Sequence, residues 1–159
     1  MKTAIVILNW NTKEFLGKFL PGLLASVKSV DGAEVIVADN ASTDGSAQFM
    51  KENFPDVRTI VFNENLGFTG GYNKAFEEIV TKAGAEAPEY FLLINSDIEV
   101  TDGWLEPLVE WMDNNPCCGA CAPSCAAGIR GISLNMQERP GGILTVSAIH
   151  SAEDECLEK

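Results

Sequence analysis

Apolar positions along this chain alternate between two spacings. Ala4 to Leu8 is an unbroken, β-branched-rich run, as in a strand covered on both faces. From Thr12 the spacing changes. Phe15, Leu16, Phe19, Leu20, Leu23 and Leu24 recur at helical intervals, and Pro21-Gly22 is expected to kink or break that helix. Val35 to Ala38 is a second buried run, ending at Asp39, and Asp44 to Phe54 reads as a second helix opened by capping residues. Thr59 to Phe62 gives a third strand. A glycine-rich turn, Gly67-Phe68-Thr69-Gly70-Gly71, then enters a third helix ending near Lys82. Tyr90 to Ile94 is the fourth strand, and Thr101 is expected to cap a fourth helix carrying Trp104, Leu105, Leu108, Val109 and Met112.

Strand and helix in strict alternation predict an α/β sandwich. Its central sheet is mostly parallel, with crossover helices on both faces, and Gly119 to Ala122 is its expected fifth strand. Ligands of such sheets bind at the carboxyl ends of the strands. Asn9 to Asn11, Asp39-Asn40, Asn63 to Asn65 and Asn95 to Asp97 all fall there. Each cluster alone is an ordinary set of helix caps, whereas four at one edge suggest a shared site, with Asn9, Asp39 and Asp97 converging on it. Beyond Pro123 the alternation stops: residues 124–131 are small and glycine-rich, and residues 135–142 have no period.

The 159 residues suit one domain, and 46% hydrophobic against 21% charged residues predicts a packed core. A net charge of −12 argues against nucleic acid as partner, although a metal-held diphosphate is compatible with it. No apolar stretch approaches the ~20 residues of a membrane span, and the start is too short for a signal-peptide core, so a cytoplasmic location is expected. Cys117, Cys118, Cys121 and Cys125 crowd together, but only Cys118 and Cys121 form a C-x-x-C pair. Reduced thiols are expected in preference to zinc ligands.

Asp39 opens the segment DNASTDGS directly after a buried strand. A carboxylate there can accept from the imide N–H of uracil or thymine, which cytosine lacks; a well-capped strand–helix turn is the equal alternative. Asn40, Ser42, Thr43 and Asp44 can hold that loop through side chain to backbone bonds. Asp97, in INSDIEV, could hold Mg²⁺ or Mn²⁺ beside a diphosphate, joined by Glu99 if the strand continues; a solvated acidic loop is the alternative. The glycines of NLGFTGGYNKA allow close backbone approach and would let helix-start amides face an anion. They match neither G-x-G-x-x-G nor a Walker A loop.

In order, AIVILNWN, VIVADNASTDGS, NENLGFTGGYNKA and YFLLINSDIEVTDGWLEPLV resemble the family 2 glycosyltransferases of the GT-A fold, and most nearly their rhamnosyltransferase-like subgroup. The resemblance covers about Thr3 to Pro123. It implies that Asp39 recognises the base and that Asn9 and Asn11 lie by the nucleoside. It extends the nucleotide-binding set to Asn40, Gly67, Gly71, Asn73 and Ser96, and puts Asp97 at the metal position, where Asn95-Ser96-Asp97 replaces Asp-x-Asp. It further implies a UDP or dTDP sugar donor, a Mg²⁺ or Mn²⁺ cofactor and a hydroxyl acceptor on a glycan or lipid-linked molecule. The implied setting is cell-surface polysaccharide synthesis at the inner membrane surface. Inversion needs a general base, which such enzymes carry beyond the metal motif.

Back-translation of Ser124 onward, read one nucleotide earlier, admits strings like those the subgroup carries next. Residues 1–123 are therefore expected to form a nucleotide-sugar-binding half-domain. Residues 124–159 are expected to be an irregular, out-of-frame tail, leaving a truncated, inactive chain prone to dimerise. A non-catalytic nucleotide-sugar-binding or assembly module is the competing reading. A dinucleotide-dependent dehydrogenase is disfavoured, because the first strand leads to Asn9-Trp10-Asn11 and no glycine fingerprint.

Overall fold

The computed structural model describes residues 2–117, 119–123, 132–133 and 143–145. The apolar runs form strands β1 (Thr3–Asn9), β2 (Ala33–Asp39), β3 (Arg58–Val61) and β4 (Tyr90–Ile94). The periodic stripes form helices α1 (Lys13–Ser26), α2 (Ser46–Asn53), α3 (Gly67–Ala83) and α4 (Glu106–Asn114). Three short strands follow: β5 (Ala122–Pro123), β6 (Ile132–Ser133) and β7 (Ile143–Thr145). The main sheet runs β3-β2-β1-β4-β7 with every pair parallel, while β5 and β6 form a separate antiparallel ribbon.

Strand residues alternate between the two faces and explain the unbroken apolar runs. Ile5, Ile7, Val35, Val37, Leu92 and Ile94 pack against the stripes of α1 and α4 and against Met50 of α2. Ala4, Val6, Ile36, Ala38 and Ile60 face the other way, onto Tyr72, Ala75 and Ile79 of α3. The chain winds outward from β1 through β2 to β3, then returns to lay β4 on the other side of β1. That reversal makes the carboxyl ends of β1 and β4 a topological switch point, and the crevice outside such a point is where sheets of this kind receive ligands.

Four expectations need correction. Pro21-Gly22 does not break α1, which runs unbroken from Lys13 to Ser26 with Pro21 inside it. Leu16, Leu20 and Leu23 bury a continuous stripe across the proline, which offsets its cost of ~3 kcal/mol. The fourth helix starts at Glu106 and not at Thr101. Gly103 takes φ +69, outside the helical region, and Pro107 fixes the first turn that follows. Gly67 to Gly71 form the first turn of α3, not a loop ahead of it. The fifth strand of the sheet is Ile143–Thr145, beside β4, and Ala122–Pro123 belongs to the small ribbon. Pro123 lacks the N–H that a strand inside a sheet must donate.

Residues 124–131, 134–142 and 146–159, most of the expected tail, lie outside the described residues. Among the described residues no helix is long and apolar enough to cross a membrane. Of the cysteines, Cys117 is exposed and Cys121 buried, while Cys118, Cys125 and Cys156 lie outside the described residues.

Candidate functional site

The register of β1 against β2 sets Asn9 opposite Asp39 at the carboxyl edge. Both are buried, Asp39 with 1% of its surface exposed. The Asn9 amide donates from Nδ2 to Asp39 Oδ1 at 2.7 Å and to Ser42 Oγ at 3.0 Å, and the Ser42 backbone N–H donates to Asp39 Oδ2 at 3.0 Å. A carboxylate taken out of water must be hydrogen-bonded, and this one is bonded on each oxygen by a neutral donor. Each oxygen keeps a further lone pair, so the group can still accept an N–H from a ligand that reaches it.

Two strained turns frame this pair. Asn11 and Ala41 both adopt left-handed backbone, φ 56° and 59°, one in the β1–α1 loop and one in the β2–α2 loop. Such conformations cluster at functional sites, where surrounding bonds must hold them. The two loops bond each other: Asn11 N–H donates to Ser42 Oγ at 2.9 Å, and Asn11 Oδ1 accepts from Thr43 N–H at 2.7 Å. Asp44 completes the clasp. It accepts from the backbone N–H of Lys13 at 2.9 Å and of Ser46 at 3.0 Å, the first residues of α1 and α2. Burial pushes the Asp44 carboxyl up, but the Ser46 hydroxyl and the two amides more than offset this and hold it below the usual carboxylate value.

Asn40 reaches the other way, toward α3. Its Oδ1 accepts from Leu66 N–H at 2.9 Å, while Nδ2 donates to Asn65 Oδ1 at 2.9 Å and to the Gly67 carbonyl at 3.1 Å. Gly67 N–H is itself taken by Asn65 Oδ1 at 2.8 Å. The first amides of this glycine segment therefore serve the loop. Gly71 has a packing reason: a Cβ there would lie 2.7 Å from Leu8 Cδ1 and 3.2 Å from Asn40 Nδ2. Without it, α3 lies directly on the end of β1.

Across the crevice, the Thr12 hydroxyl is 2.5 Å from Asn9 Oδ1 and 2.9 Å from Ser96 Oγ. On the opposite face, the Tyr72 hydroxyl donates to the Ile94 carbonyl at 3.2 Å, and burial pushes that phenol up to about 12. Asp97 sits next to Ser96 in the turn after β4, and its side chain is exposed. Beside the crevice, a concavity of about 280 Å³ lined by Asn11, Thr12, Lys13, Glu14, Phe15 and Asp44 opens to solvent. Its volume is near the lower end of ligand-sized clefts, ~300–1,000 Å³.

Of the candidate residues, Asn9, Asn11 and Asp39 are joined through side-chain hydrogen bonds that reach Ser96 through Thr12, and Asn40, bonded to Gly67, joins them by donating its backbone N–H to the Asn9 carbonyl. Gly71 packs beneath them. Asn73 is exposed one turn along α3 and makes no bond to this set. Glu99 does not join Asp97. β4 stops at Ile94, and Glu99 lines a separate cleft against Lys18, Phe19 and Gly22 of α1. Ser42 was legible only as a loop-holding residue and Thr12 only as the opening of α1. Their role in linking strand ends depends on register, which local spacing does not contain.

Among the described residues no group of three or more His, Cys, Asp or Glu side chains is gathered as a protein-only metal cage. The donor chemistry still fits Mg²⁺ or Mn²⁺, which are commonly held by one or two carboxylates while substrate phosphates supply the other oxygens. Asp97, next to Ser96 in the turn after β4, is an exposed carboxylate.

Comparison with known proteins gives concordant matches. The sequence profile of Glycosyl transferase family 2 matches residues 4–144. An N-acetylglucosaminyl-diphospho-decaprenol L-rhamnosyltransferase of Mycobacterium tuberculosis is 29% identical over 124 residues, covering 75% of this chain and 39% of the relative. This chain thus spans about two fifths of the length of that curated relative. S. aureus TarS in complex with UDP-GlcNAc superposes with a TM-score of 0.63 at 19% identity, over 84% of this chain and 37% of TarS. The mannosyltransferase PcManGT of Pyrobaculum calidifontis, in complex with GDP-Man and Mn²⁺, gives 0.58 at 19% identity, over 77% of this chain and 34% of that one. At these identities the two structures establish the α/β, GT-A-like fold.

Proposed function

This chain belongs to glycosyl transferase family 2, and from that premise we propose that its carboxyl-edge crevice binds the nucleoside diphosphate of a sugar donor, UDP or dTDP. The observation that carries the reading is the buried Asn9–Asp39 pair at the switch between β1 and β4. Asp39 accepts the imide N–H of the base, while Asn9 and Asn11 border the nucleoside. Asn40, Gly67 and Gly71 shape its wall, and Asn73 lies at the outer margin. Ser96 and Asp97 take the diphosphate side. Asp97 would hold Mg²⁺ or Mn²⁺ there, and that cation neutralises charge on the leaving diphosphate when bound. The similarity to a rhamnosyltransferase named for a diphospho-decaprenol acceptor favours a glycan or lipid-linked hydroxyl as acceptor. Cell-surface polysaccharide synthesis, at the cytoplasmic face of the membrane, is the matching role.

The same reading extends to activity. Inverting transfer needs a carboxylate free to take the acceptor's proton. At the crevice Asp39 is buried and bonded, and Asp97 is committed to the cation. Residues 124–159 are read here as out of frame, against the family match that reaches residue 144 and the pairing of Ile143–Thr145 with β4; on that reading this chain binds donor without useful turnover and favours dimers. Resequencing the gene through the codons around Pro123 tests the frame directly, and an unaltered frame overturns that part.

Calorimetry with UDP, dTDP and NAD tests the donor reading. Binding of UDP or dTDP, strengthened by Mn²⁺ or Mg²⁺, is expected, with no binding of NAD. Asp39→Ala should weaken nucleotide affinity by up to about 3 kcal/mol, the scale of a hydrogen bond to a charged group. Asp97→Ala should abolish the cation's contribution. Unchanged affinity in Asp39→Ala counts against base recognition.

A further inference from the structure

Backbone pairing between β1 and β4 ends at Ile7 and Ile94. Past that pair β1 continues to Asn9 while the chain after β4 turns away, so the crevice is bounded by side chains. Two hydroxyls span it, Thr12 to Ser96 on the α1 side and Tyr72 to the Ile94 carbonyl on the α3 side. Thr12 holds the N-cap position of α1, where a threonine hydroxyl ordinarily accepts from a first-turn amide. Here it makes no such bond. Asp44, from the neighbouring loop, accepts the Lys13 N–H instead, and the Thr12 hydroxyl is turned between Asn9 Oδ1 and Ser96 Oγ. A hydroxyl has one proton and two lone pairs, so it can donate to one of these partners and accept from the other. The Asn9 carboxamide, an acceptor toward Thr12, is at its other end the donor to Asp39. A single file of hydrogen bonds, Asp39–Asn9–Thr12–Ser96, therefore runs across the ends of β2, β1 and β4 and stops one residue from Asp97.

We infer that Thr12 is a positioning residue whose hydroxyl fixes the spacing between the nucleoside half of the site, at Asn9 and Asp39, and its diphosphate half, at Ser96 and Asp97. This inference rests on the donor reading above. A bound nucleoside diphosphate must satisfy both halves at once, so losing the link costs most when base and cation are engaged together. Helix capping alone would give no such dependence, since Asp44 performs that task.

The test is UDP affinity of the 159-residue chain with and without Mn²⁺, for the unchanged sequence, Thr12→Val and Thr12→Ser. Thr12→Val keeps the shape and loses the hydrogen bonds. It should weaken Mn²⁺–UDP binding about tenfold, the worth of one hydrogen bond, and remove most of the gain that Mn²⁺ confers. Thr12→Ser should retain both affinity and gain. A Thr12→Val chain that binds UDP with the full Mn²⁺ gain overturns the positioning role alone. Failure of the unchanged chain to bind either UDP or dTDP overturns the donor reading, and this role with it. The link is also readable without ligand. Ser96→Ala should move the Asn9 side-chain amide resonance in the Thr12 chain and leave it unmoved in Thr12→Val, and an unmoved resonance in both contradicts the continuous file.

Discussion

Asp44 carries more of the local architecture than its place in a loop suggests. One carboxylate accepts from the leading amides of two helices, with the Ser46 hydroxyl as a further donor. Asp44→Asn should cost about 1–2 kcal/mol at neutral pH, by weakening two caps and removing a charge that favours both helix starts. Its pH dependence follows from the lowered folded-state value. The stability it adds is complete above the unfolded value of 3.8 and is lost as pH falls through the lower folded value. Thermal midpoints of the two chains should therefore differ most at neutral pH and converge below about pH 4. A constant difference down to pH 2 would show that the carboxylate's charge is not what matters. Asp39 and Asn9 were legible as polar residues ending buried strands. Their mutual bond was not, because it depends on Asn9 and Asp39 sharing one register position across two strands.

The elements were legible wherever a stripe or a run was long, and least so at their ends. The α1 stripe outweighed its proline, whereas Gly103 and Pro107 delayed α4 by backbone geometry that apolar spacing does not record. The fifth strand of the sheet was also misplaced. Gly119 to Ala122 is a small apolar run without β-branched or aromatic residues, and Ile143–Thr145 occupies the sheet edge beside β4. Glycines separate the two kinds of constraint. Gly22 lies in α1 with nothing within 4 Å of an added Cβ, so Gly22→Ala should stabilise by about 0.5–1 kcal/mol through helix propensity. Gly71 lies in α3 with both Leu8 methyl carbons within 2.9 Å of that position, so Gly71→Ala should destabilise by about 1–3 kcal/mol. Urea denaturation midpoints report both, and stabilisation by Gly71→Ala would mean that α3 does not need its close seat on β1.

At the scale of the whole molecule, the sheet order brings the chemistry together. The carboxyl ends of β1 to β4 share one edge, and at the reversal between β1 and β4 the Thr12 hydroxyl lies between Asn9 and Ser96. The opposite edge is closed by a different device. Lys2 pairs with Asp113, which also accepts the Tyr90 hydroxyl at 2.7 Å, tying the starts of β1 and β4 to the end of α4. These two edges give the donor-site claim a direct test by backbone amide NMR, titrating UDP and dTDP in the presence of Mg²⁺. The account predicts shifts concentrated at Asn9 to Thr12, Ala41 to Asp44 and Ser96 to Ile98, with Lys2, Tyr90 and Asp113 unmoved. Shifts centred on the Lys2–Tyr90–Asp113 edge, or a saturable titration that leaves Asn9 and Ser96 in place, would contradict it.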